Sequence, residues 1–388
     1  MAKTVIDRAV WGAPADGVSS LERELARQRR ARTAHAREGQ MVARASVLNL
    51  VVFAEREVHA RRAARTIAEL AFRHPSRAIV LWTDRGRTRR AEAAHDTKTR
   101  LRMHCELSEA DEVHQVCYEQ ILVRALGDTY ERLASAVIPL LLPDLPVFLW
   151  WTDTPPFGGR HFTDLIDLAD RLIIDSADFA RPDIALPQVA EVCRLGRGRY
   201  GVTDFNWTRL TPWRELVAAF FDVPLMRPYL DAVTGIRIGF TVDADGREVH
   251  PSQALLLLGW LASRLGWHAA DALAPSEAGG LLFAVGRADG ERIAVRVRPR
   301  FERDLEEGDL SGLRIQARRA GRDAEFVVKR VPGTGLVVTT ALVDGAIVTE
   351  RTLPLRVPTV VDLLGEELTI VGSDRIYEDA LKAIVSLA

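Results

Sequence analysis

The 388-residue sequence has few cysteines, almost no net charge and no long apolar run. Its three cysteines, Cys105, Cys117 and Cys193, are an odd number in a long chain and do not indicate a disulfide framework. A formal net charge of -1 at pH 7 argues against a nucleic-acid-binding surface along the whole chain. The longest uncharged apolar run, 254–263, is far shorter than the ~20 residues of a membrane-spanning helix. Because M-A-K-T-V-I-D-R at the start has no apolar signal core, we expect a cytoplasmic protein. From the net charge and the short apolar runs, we expect that it binds neither nucleic acid nor a membrane.

Catalytic motifs are absent as well. The sequence has no G-x-S-x-G elbow, no P-loop, no H-E-x-x-H and no set of kinase motifs. His104, Cys105, His114 and Cys117 match no usual zinc-ligand spacing, and buried packing is the better interpretation of the two cysteines. Catalytic residues can be scattered along a chain, but nothing in this sequence demands an enzyme. We therefore predict a protein without catalytic residues, cofactor or metal site.

The run from Gly196 to Gly201, G-R-G-R-Y-G, matches the G-x-G-x-x-G pattern. A dinucleotide-binding loop must follow a strand and open a helix, whereas the next predicted helix starts about ten residues later. We interpret the run as a flexible basic loop. A contact of Arg197 and Arg199 with a phosphate or with an acidic partner surface remains an alternative.

Residues 41–180 alternate between strand-like and helix-like patterns, as in a Rossmann-like α/β domain. Continuous apolar runs such as 45–53 predict buried parallel strands, and the apolar–polar alternation of 99–107 predicts a half-exposed strand at a sheet edge. Strands are predicted at 45–53, 77–83, 99–107, 147–151 and 171–175, and helices at 55–72, 112–126, 129–142 and 161–169. The pattern indicates a mostly parallel sheet with helices on both faces.

The rest of the chain divides into an N-terminal arm (1–40) with a basic helix at 21–36, a connection with a junction helix (181–222) and an α+β domain (223–388). In the junction, Thr211 can cap a helix and Pro212 suits its first position. The last domain combines short strands and tight turns, which predict an antiparallel sheet. Its strands are predicted at 232–242, 280–285, 292–298, 313–317, 325–330, 335–340 and 346–352, and its helices at 253–265, 359–367 and 374–387.

Tryptophan and arginine are concentrated in the junction, where T-D-F-N-W-T-R-L-T-P-W-R-E-L carries Trp207, Arg209, Trp213 and Arg214. These residue types are the ones most enriched where proteins bind one another tightly. Large aromatic side chains also pack within their own chain, so both a link between domains and a partner contact are open.

Trp150 and Trp151 end a predicted strand and are followed by T-D-T-P-P. Ligands and partners gather at the carboxyl ends of strands in open α/β sheets, which makes the pair a second candidate contact. Packing beneath neighbouring helices is the alternative. At least one of the two rings should be buried, because successive strand residues face opposite ways.

In eight segments, in the same order along the chain, the sequence resembles the OpcA family, described as glucose-6-phosphate dehydrogenase assembly proteins. The segments span about 44–381 and are R-A-S-V-L-N-L-V-V from Arg44, R-H-P-S-R-A-I-V-L from Arg73, C-Y-E-Q-I from Cys117, L-L-L-P-D-L-P-V-F-L-W-W from Leu140, D-L-A-D-R-L-I-I-D-S from Asp167, N-W-T-R-L-T-P-W-R-E-L from Asn206, L-G-W-L-A-S-R-L-G-W from Leu258 and R-I-Y-E-D-A-L from Arg375.

The resemblance implies a non-catalytic allosteric activator that binds glucose-6-phosphate dehydrogenase, favours its active oligomer and supports NADPH production in the oxidative pentose phosphate pathway. The residues predicted to contact this partner are Trp150, Trp151, Trp207, Arg209, Trp213, Arg214, Arg197 and Arg199. The rival hypothesis is a sugar-phosphate-binding enzyme or metabolite sensor, with a pocket at the strand ends of the α/β domain lined by Trp151 and Asp153.

Overall fold

The computed structural model describes residues 23, 26, 27, 30, 41–44, 46–83, 98–108, 111–124, 133–242, 251–271, 274–275, 279–370 and 372–387, with backbone only for 41–44, 98–108, 111–118 and 274–275. Of the arm and its predicted helix over 21–36, the four described residues are helical and the remainder lies outside the described part. The chain forms two compact units, each assembled from three stretches of sequence. The first unit comprises Met1–Ile174, Arg197–Thr203 and Thr359–Ser373, and the second comprises Asp175–Gly196, Asp204–Pro358 and Asp374–Ala388.

The first unit is built on an eight-stranded, mostly parallel sheet in the order β1-β5-β3-β2-β6-β7-β8, with β4 antiparallel to β5. Its strands are β1 (Met41–Arg44), β2 (Leu48–Ala54), β3 (Ser76–Trp82), β4 (Lys98–Ser108), β5 (Asp111–Arg124), β6 (Val147–Trp151), β7 (Arg171–Ile174) and β8 (Gly201–Asp204). Its helices are α1 (Glu57–Leu70), α2 (Leu133–Val137), α3 (Arg160–Ile166) and, much later in the chain, α8 (Val360–Glu367).

The centre of this sheet confirms the expectation of a buried parallel sheet. Every residue of β2, β3 and β6 is buried, which requires cover on both faces, as continuous apolar runs imply. The apolar stripe of α1 packs on β2 and β3, and α8 packs on α1. The strand predicted over 99–107 is β4, whose only partner among the described strands is β5.

In the described residues, two stretches that the sequence predicted to be helical differ from the prediction. The helix over 112–126 is wrong, because residues 111–124 form β5, which pairs with β1, β3 and β4. Its apolar residues recur at spacings that suit a helix as well as a strand, and pairing with three strands decides between them. Of the helix over 129–142, the described part is only α2 and a 3₁₀ turn at Ile138–Leu140.

The second unit is built on a nine-stranded sheet in the order β10-β12-β13-β9-β14-β15-β16-β17, with β11 on β12. Its strands are β9 (Val233–Thr241), β10 (His268–Ala269), β11 (Ala274–Pro275), β12 (Leu281–Gly286), β13 (Arg292–Arg300), β14 (Leu310–Arg319), β15 (Arg322–Arg330), β16 (Leu336–Val343) and β17 (Ala346–Pro354). Its helices are α4 (Pro182–Gly196), α5 (Phe205–Arg209), α6 (Thr211–Phe221), α7 (Ser252–Leu265) and α9 (Arg375–Leu387).

The meander of short strands, with α7 and the C-terminal helix α9, confirms the predicted α+β class, and the sheet is mixed because β13 runs parallel to β9. Buried and exposed residues alternate along β9, β13, β14 and β15, so the sheet has one apolar face and one open face. Helix α9 packs against α7 and α4. The close approach of α7 and α9 depends on Gly259, where a Cβ would lie 2.4 Å from the Ala380 carbonyl oxygen.

The segment 181–201 is not the irregular connection predicted from its proline and glycine content. Most of it is α4, which contains Pro187, and β8 follows immediately. Pro182 begins the helix, where its missing N–H costs nothing, and Ala185, Leu186 and Val189 give it a buried side. Within the described residues, no helix combines the length and apolarity that crossing a membrane requires.

Candidate functional site

The Trp/Arg stretch begins where β8 ends and is held by two consecutive short helices. Asp204, the last residue of β8, has extended backbone (φ -134°), and its Oδ1 accepts the Asn206 N–H at 2.9 Å, which caps α5. Leu210 ends α5 and caps α6 without a side-chain hydrogen bond, and Pro212 lies in the first turn of α6. Thr211 is therefore the first residue of the helix and not its cap, which corrects the sequence prediction.

Asp204 is fully buried and organises the surrounding backbone. Its Oδ1 also accepts the Ser176 N–H at 2.9 Å, and the Tyr377 hydroxyl donates to its Oδ2 at 3.2 Å. Burial, reinforced by the nearby Asp175 carboxylate, raises the pKa of Asp204 to about 6. Burial and the same carboxylate of Asp204 raise the pKa of Tyr377 well above its usual range, so its hydroxyl remains a donor.

Arg209 makes a two-point ion pair with Asp175. Its Nη1 and Nη2 donate to Asp175 Oδ1 and Oδ2 at 2.7 Å and 2.8 Å, with side-chain exposures of 18% and 12%. Burial lowers the pKa of Arg209, but the Asp175 carboxylate outweighs it, so the pKa is raised overall. Asp175 Oδ1 additionally accepts the Ala177 N–H at 3.2 Å. The pair is therefore both a charge contact and a cap of the turn at Ser176–Asp178.

Trp207 is buried and makes a hydrogen bond at its polar edge. Its Nε1 donates to Asp374 Oδ2 at 2.8 Å, and its ring lies 5.5 Å from that of Tyr377. Asp374 Oδ1 accepts the N–H groups of Ile376 and Tyr377 at the start of α9. The indole is thus fixed by the same carboxylate that caps the C-terminal helix.

Arg214 covers the outer face of this indole. Its guanidinium carbon lies 3.7 Å from the Trp207 ring centroid, and its Nη2 donates to Thr211 Oγ1 at 2.9 Å. Its Nε is buried and has no hydrogen-bond partner among the described residues. Burial lowers the pKa of Arg214 to about 10, although Asp374 and Glu215 act in the opposite direction. Arg214 is half-buried, pinned in one orientation and incompletely paired.

Trp213, on the other side of α6, is 1% exposed. The Arg330 guanidinium carbon lies 5.7 Å from its ring centroid, and Arg330 Nε donates to the Leu310 carbonyl oxygen at 2.8 Å. Further along α6, Phe220 and Phe221 pack against Phe326 of β15. This side of α6 therefore belongs to the core of the second unit.

Trp150 and Trp151 are both buried in the first unit, at 5% and 0% exposure. The Trp151 ring lies 4.2 Å from that of Phe53 and 5.3 Å, edge to face, from that of Phe162. The sequence predicted that at least one of the two rings is core, and both are. The rival sugar-phosphate pocket loses an expected lining side chain with Trp151, while Asp153 Oδ2 accepts the Glu55 N–H at 3.1 Å.

Arg197 and Arg199 lie on the exposed turn between α4 and β8, in the first unit. Arg199 Nη2 lies 2.5 Å from Asp167 Oδ1, and its guanidinium carbon lies 5.8 Å from the Tyr200 ring centroid. The G-x-G-x-x-G match thus joins a helix to a strand. That is the reverse of the order that a dinucleotide-binding loop requires.

The structure brings together the junction candidates Trp207, Arg209, Trp213 and Arg214 in the second unit, but not the pairs Trp150–Trp151 and Arg197–Arg199, which belong to the first. Sequence reasoning missed the acidic residues that hold the junction: Asp175, Asp204 and Asp374. Asp204 and Asp374 each stand immediately before a helix, and this capping position was the available signal. Whether any of the eight candidates touches a partner stays a prediction.

Hydrogen bonds to carboxylates fix Trp207 and Arg209 at this site. In the described part of the chain, no cluster of three or more His, Cys, Asp or Glu residues could hold a metal ion. The side chains of His104, Cys105, His114 and Cys117 lie outside the described residues. Cys193 is buried, and burial raises the pKa of its thiol to about 12, with Glu378 adding to the effect. The arrangement is suited to positioning side chains.

Comparison with known proteins gives relatives over most of the chain. An OxPP cycle protein OpcA of Synechocystis sp. is 32% identical over 257 residues, covering 66% of this chain and 50% of that protein. The OpcA of Synechococcus elongatus is 28% identical over 289 residues, covering 74% of this chain and 62% of that protein. The chain thus spans about half the length of the first of these relatives.

Solved structures with a similar course of the chain include two dehydrogenases. Levoglucosan dehydrogenase in complex with NADH and L-sorbose has a TM-score of 0.46 at 10% identity, covering 88% of this chain and 96% of that chain. A dehydrogenase (MviM) from Clostridium difficile has a TM-score of 0.43 at 9% identity, covering 88% and 97%. Similarities at this level carry no inference about activity.

Two family models match consecutive parts of the chain. The N-terminal domain of a glucose-6-phosphate dehydrogenase subunit matches residues 67–191, and the C-terminal domain of the same subunit matches residues 200–381. Together they include β3 to β8, the junction and the whole second sheet. The chain therefore belongs to the OpcA family.

Proposed function

We propose that this protein is a non-catalytic assembly factor and allosteric activator that binds glucose-6-phosphate dehydrogenase in the cytoplasm and promotes its active oligomer. This activity supports NADPH production by the oxidative pentose phosphate pathway. The match of both domains of the glucose-6-phosphate dehydrogenase subunit family, in order along one chain, is the observation that carries the proposal.

An activator must bind the active state of its partner more tightly than the inactive state, by a free energy equal to the shift that it causes. Side chains that are already fixed lose little conformational entropy on binding. The junction offers such side chains, because Trp207 is held by Asp374 and Arg214 is stacked on Trp207. This preorganisation supports a role of the junction in partner recognition.

We propose that the eight candidate residues act in two ways. Four buried tryptophans and the half-buried, Asp175-paired Arg209 support the surface from within; the tryptophans are Trp150, Trp151, Trp207 and Trp213. The accessible arginines contact the enzyme: Arg197, Arg199 and Arg214. Acidic side chains on the dehydrogenase are the complementary chemistry, since guanidinium groups bind carboxylates at two points.

The decisive experiment compares the glucose-6-phosphate dehydrogenase of the same organism with and without this chain. We expect a lower KM or a higher maximal rate, together with a larger particle in size-exclusion chromatography with light scattering. Unchanged kinetics and unchanged particle size at micromolar concentrations of both proteins would rule the proposal out.

In the same activity assay, variants of this protein test which arginines contact the dehydrogenase. Arg214→Ala and the double variant Arg197→Glu/Arg199→Glu should weaken activation without loss of folding. Arg264→Ala and Arg61→Glu are matched controls, because each removes an exposed arginine paired with an acid on its own unit. Equal activation by all four variants would exclude these arginines from the contact.

A further inference from the structure

The open face of the second sheet carries a row of arginines in register. Arg296 of β13 and Arg314 of β14 are the cross-strand partners of Arg237 on β9. Side chains at such positions on one face are close neighbours, and like charges there repel. Burial, followed by the charges of Arg314, Arg298 and Arg296, lowers the pKa of Arg237. This part of the face is therefore crowded with positive charge.

Next to these arginines, two paired glycines leave a depression in the open face of the sheet. Gly239 of β9 is paired with Gly312 of β14, and these glycines are flanked by Arg298 on β13 and Lys329 on β15. A Cβ at position 239 would lie 2.6 Å from Ser311 Oγ, so only glycine leaves room for the Ser311 hydroxyl, which lines this part of the face. The absence of two adjacent side chains leaves a pit with cationic residues on both sides.

A cavity of about 260 Å³ opens at this pit. Its cationic lining is Arg237, Arg298, Arg300, Arg314, Lys329 and Arg330. Arg314 Nη1 lies 2.8 Å from Glu325 Oε1, and Arg330 Nη2 lies 3.8 Å from Asp309 Oδ2. For the other four cations, no ion pair is formed with any carboxylate in the described part of the chain. The pit therefore holds an excess of positive charge that an anion would neutralise.

We propose that this pocket binds a small phosphorylated metabolite that also carries hydroxyl groups. The phosphate lies over Gly239 and Gly312, where Arg237, Arg298 and Lys329 donate to its oxygens. Arginine suits a phosphate because its planar donors bind two oxygens at once, and a phosphate monoester carries nearly two negative charges at pH 7.

The other residues that line the cavity suit the hydroxyl-bearing part of the ligand. Glu302, Asp304 and Thr334 also face the cavity, and such side chains accept hydrogen bonds from hydroxyl groups. Ligand pockets for drug-sized molecules start at about 300 Å³, so this cavity suits a monophosphate and not a dinucleotide. A phosphorylated polyol or sugar has this size and this combination of groups.

The test is thermal unfolding and calorimetry of the full chain at low ionic strength, with glucose 6-phosphate, inorganic phosphate, sulfate, glucose and a glutamate-rich peptide as probes. We expect glucose 6-phosphate to raise Tm by about 2–4 °C once it is well above its Kd, with a smaller effect of phosphate and none of glucose. Added salt should weaken binding, since the contact is largely between charges.

Three variants separate binding from folding. Arg237→Gln removes the central charge and should raise Kd by about tenfold or more, the loss of one charge-assisted contact. Gly239→Ala leaves every charge in place but places a methyl group against Ser311 Oγ, and it should also weaken binding. Arg237→Gln should leave the Tm of the unliganded protein unchanged or higher, because it relieves repulsion. Arg318→Gln on the same strand as Arg314 is the control, because Arg318 is not in the cavity lining and lies near Asp323.

No response to glucose 6-phosphate at about 10 mM, far above the micromolar-to-millimolar range of metabolite sites, would overturn the proposal. Equal binding by the wild type and Arg237→Gln would do the same. A response to the acidic peptide alone would assign the pocket to a protein segment and also overturn it. The dehydrogenase is absent from this assay, so a negative result leaves the proposed function untouched.

Discussion

The guanidinium of Arg214 lies 3.7 Å above the ring of Trp207, and its Nε is buried without a hydrogen-bond partner among the described residues. A cation–π contact of this kind contributes about 0.5–2 kcal/mol. Against it stands the partial desolvation of the charge, which lowers the pKa of Arg214 to about 10. The two effects act in opposite directions, so we expect the arginine to add little to folding.

Replacing Arg214 should therefore change stability only slightly. We expect Arg214→Met to alter the free energy of unfolding by less than about 1 kcal/mol, whereas Trp207→Ala should cost about 3–5 kcal/mol through the cavity it leaves. Urea titration followed by circular dichroism measures both. A loss of more than about 2 kcal/mol for Arg214→Met would identify the residue as structural.

The buried pair of Arg209 and Asp175 should respond very differently from an exposed pair. Removing one partner leaves an uncompensated charge, so Asp175→Asn should cost about 3–5 kcal/mol. In the exposed pair of Arg181 and Asp183, Asp183→Asn should cost less than about 1 kcal/mol. Urea titration of both variants checks the contrast, and equal losses would contradict the structural role assigned to Arg209.

Asp204 should make the protein less stable as pH rises from about 4 to about 6. Its pKa is raised to about 6 in the folded chain, against about 3.9 when unfolded, so the folded state binds more protons in this window. The contribution lost between these values is roughly 3 kcal/mol. In Asp204→Asn, Oδ1 still accepts both N–H groups and the amide can donate to Tyr377.

The measurement is the difference in free energy of unfolding between wild type and Asp204→Asn from pH 4 to pH 7. We expect the wild type to lose stability relative to the variant as pH rises. Asp183→Asn serves as the control, because the pKa of Asp183 is lowered by its hydrogen bond to Arg181 and its effect has the opposite sign. Parallel pH profiles for wild type and Asp204→Asn would refute the assignment.

Two buried tryptophans allow a matched comparison. Trp207 Nε1 donates to Asp374, whereas Trp151 Nε1 is buried with no hydrogen-bond partner in the described part of the chain. Replacement by phenylalanine leaves a similar cavity at both sites, but only Trp207→Phe leaves an oxygen of the half-buried Asp374 carboxylate without its donor. We expect Trp207→Phe to cost about 1–3 kcal/mol more than Trp151→Phe. Denaturant unfolding of the two variants decides, and a larger loss for Trp151→Phe would count against the hydrogen bond.

The local pattern of apolar and polar residues predicted the elements in which burial alone sets that pattern. The buried runs of β2, β3 and β6, the amphipathic α1 and the alternating strands of the second sheet were expected within a few residues of their bounds. A strand buried on one face has apolar residues with a period of two, and a helix buried on one face has them with a period of 3.6. A strand buried on both faces has an unbroken apolar run. Gly266 in the left-handed region ends α7, and the helix predicted at 253–265 ends at the same place.

Elements that depend on distant partners were not predictable in this way. Residues 111–124 become β5 because three strands pair with them, and β8 was missed within a segment interpreted as a connection. The sequence pattern within β9 or β13 does not predict that these two strands pair, or that they pair in parallel.

The candidate site, too, was only partly predictable from the sequence. The concentration of tryptophan and arginine at 207–214 is visible in the sequence. Which rings are core and which guanidinium reaches the surface depends on Asp175, 34 residues from Arg209, and on Asp374, 167 residues from Trp207. The basic pocket of the second sheet likewise joins residues of β9, β13, β14 and β15. Strand registers set by the whole sheet bring these charges together, because each strand contributes only one or two of them.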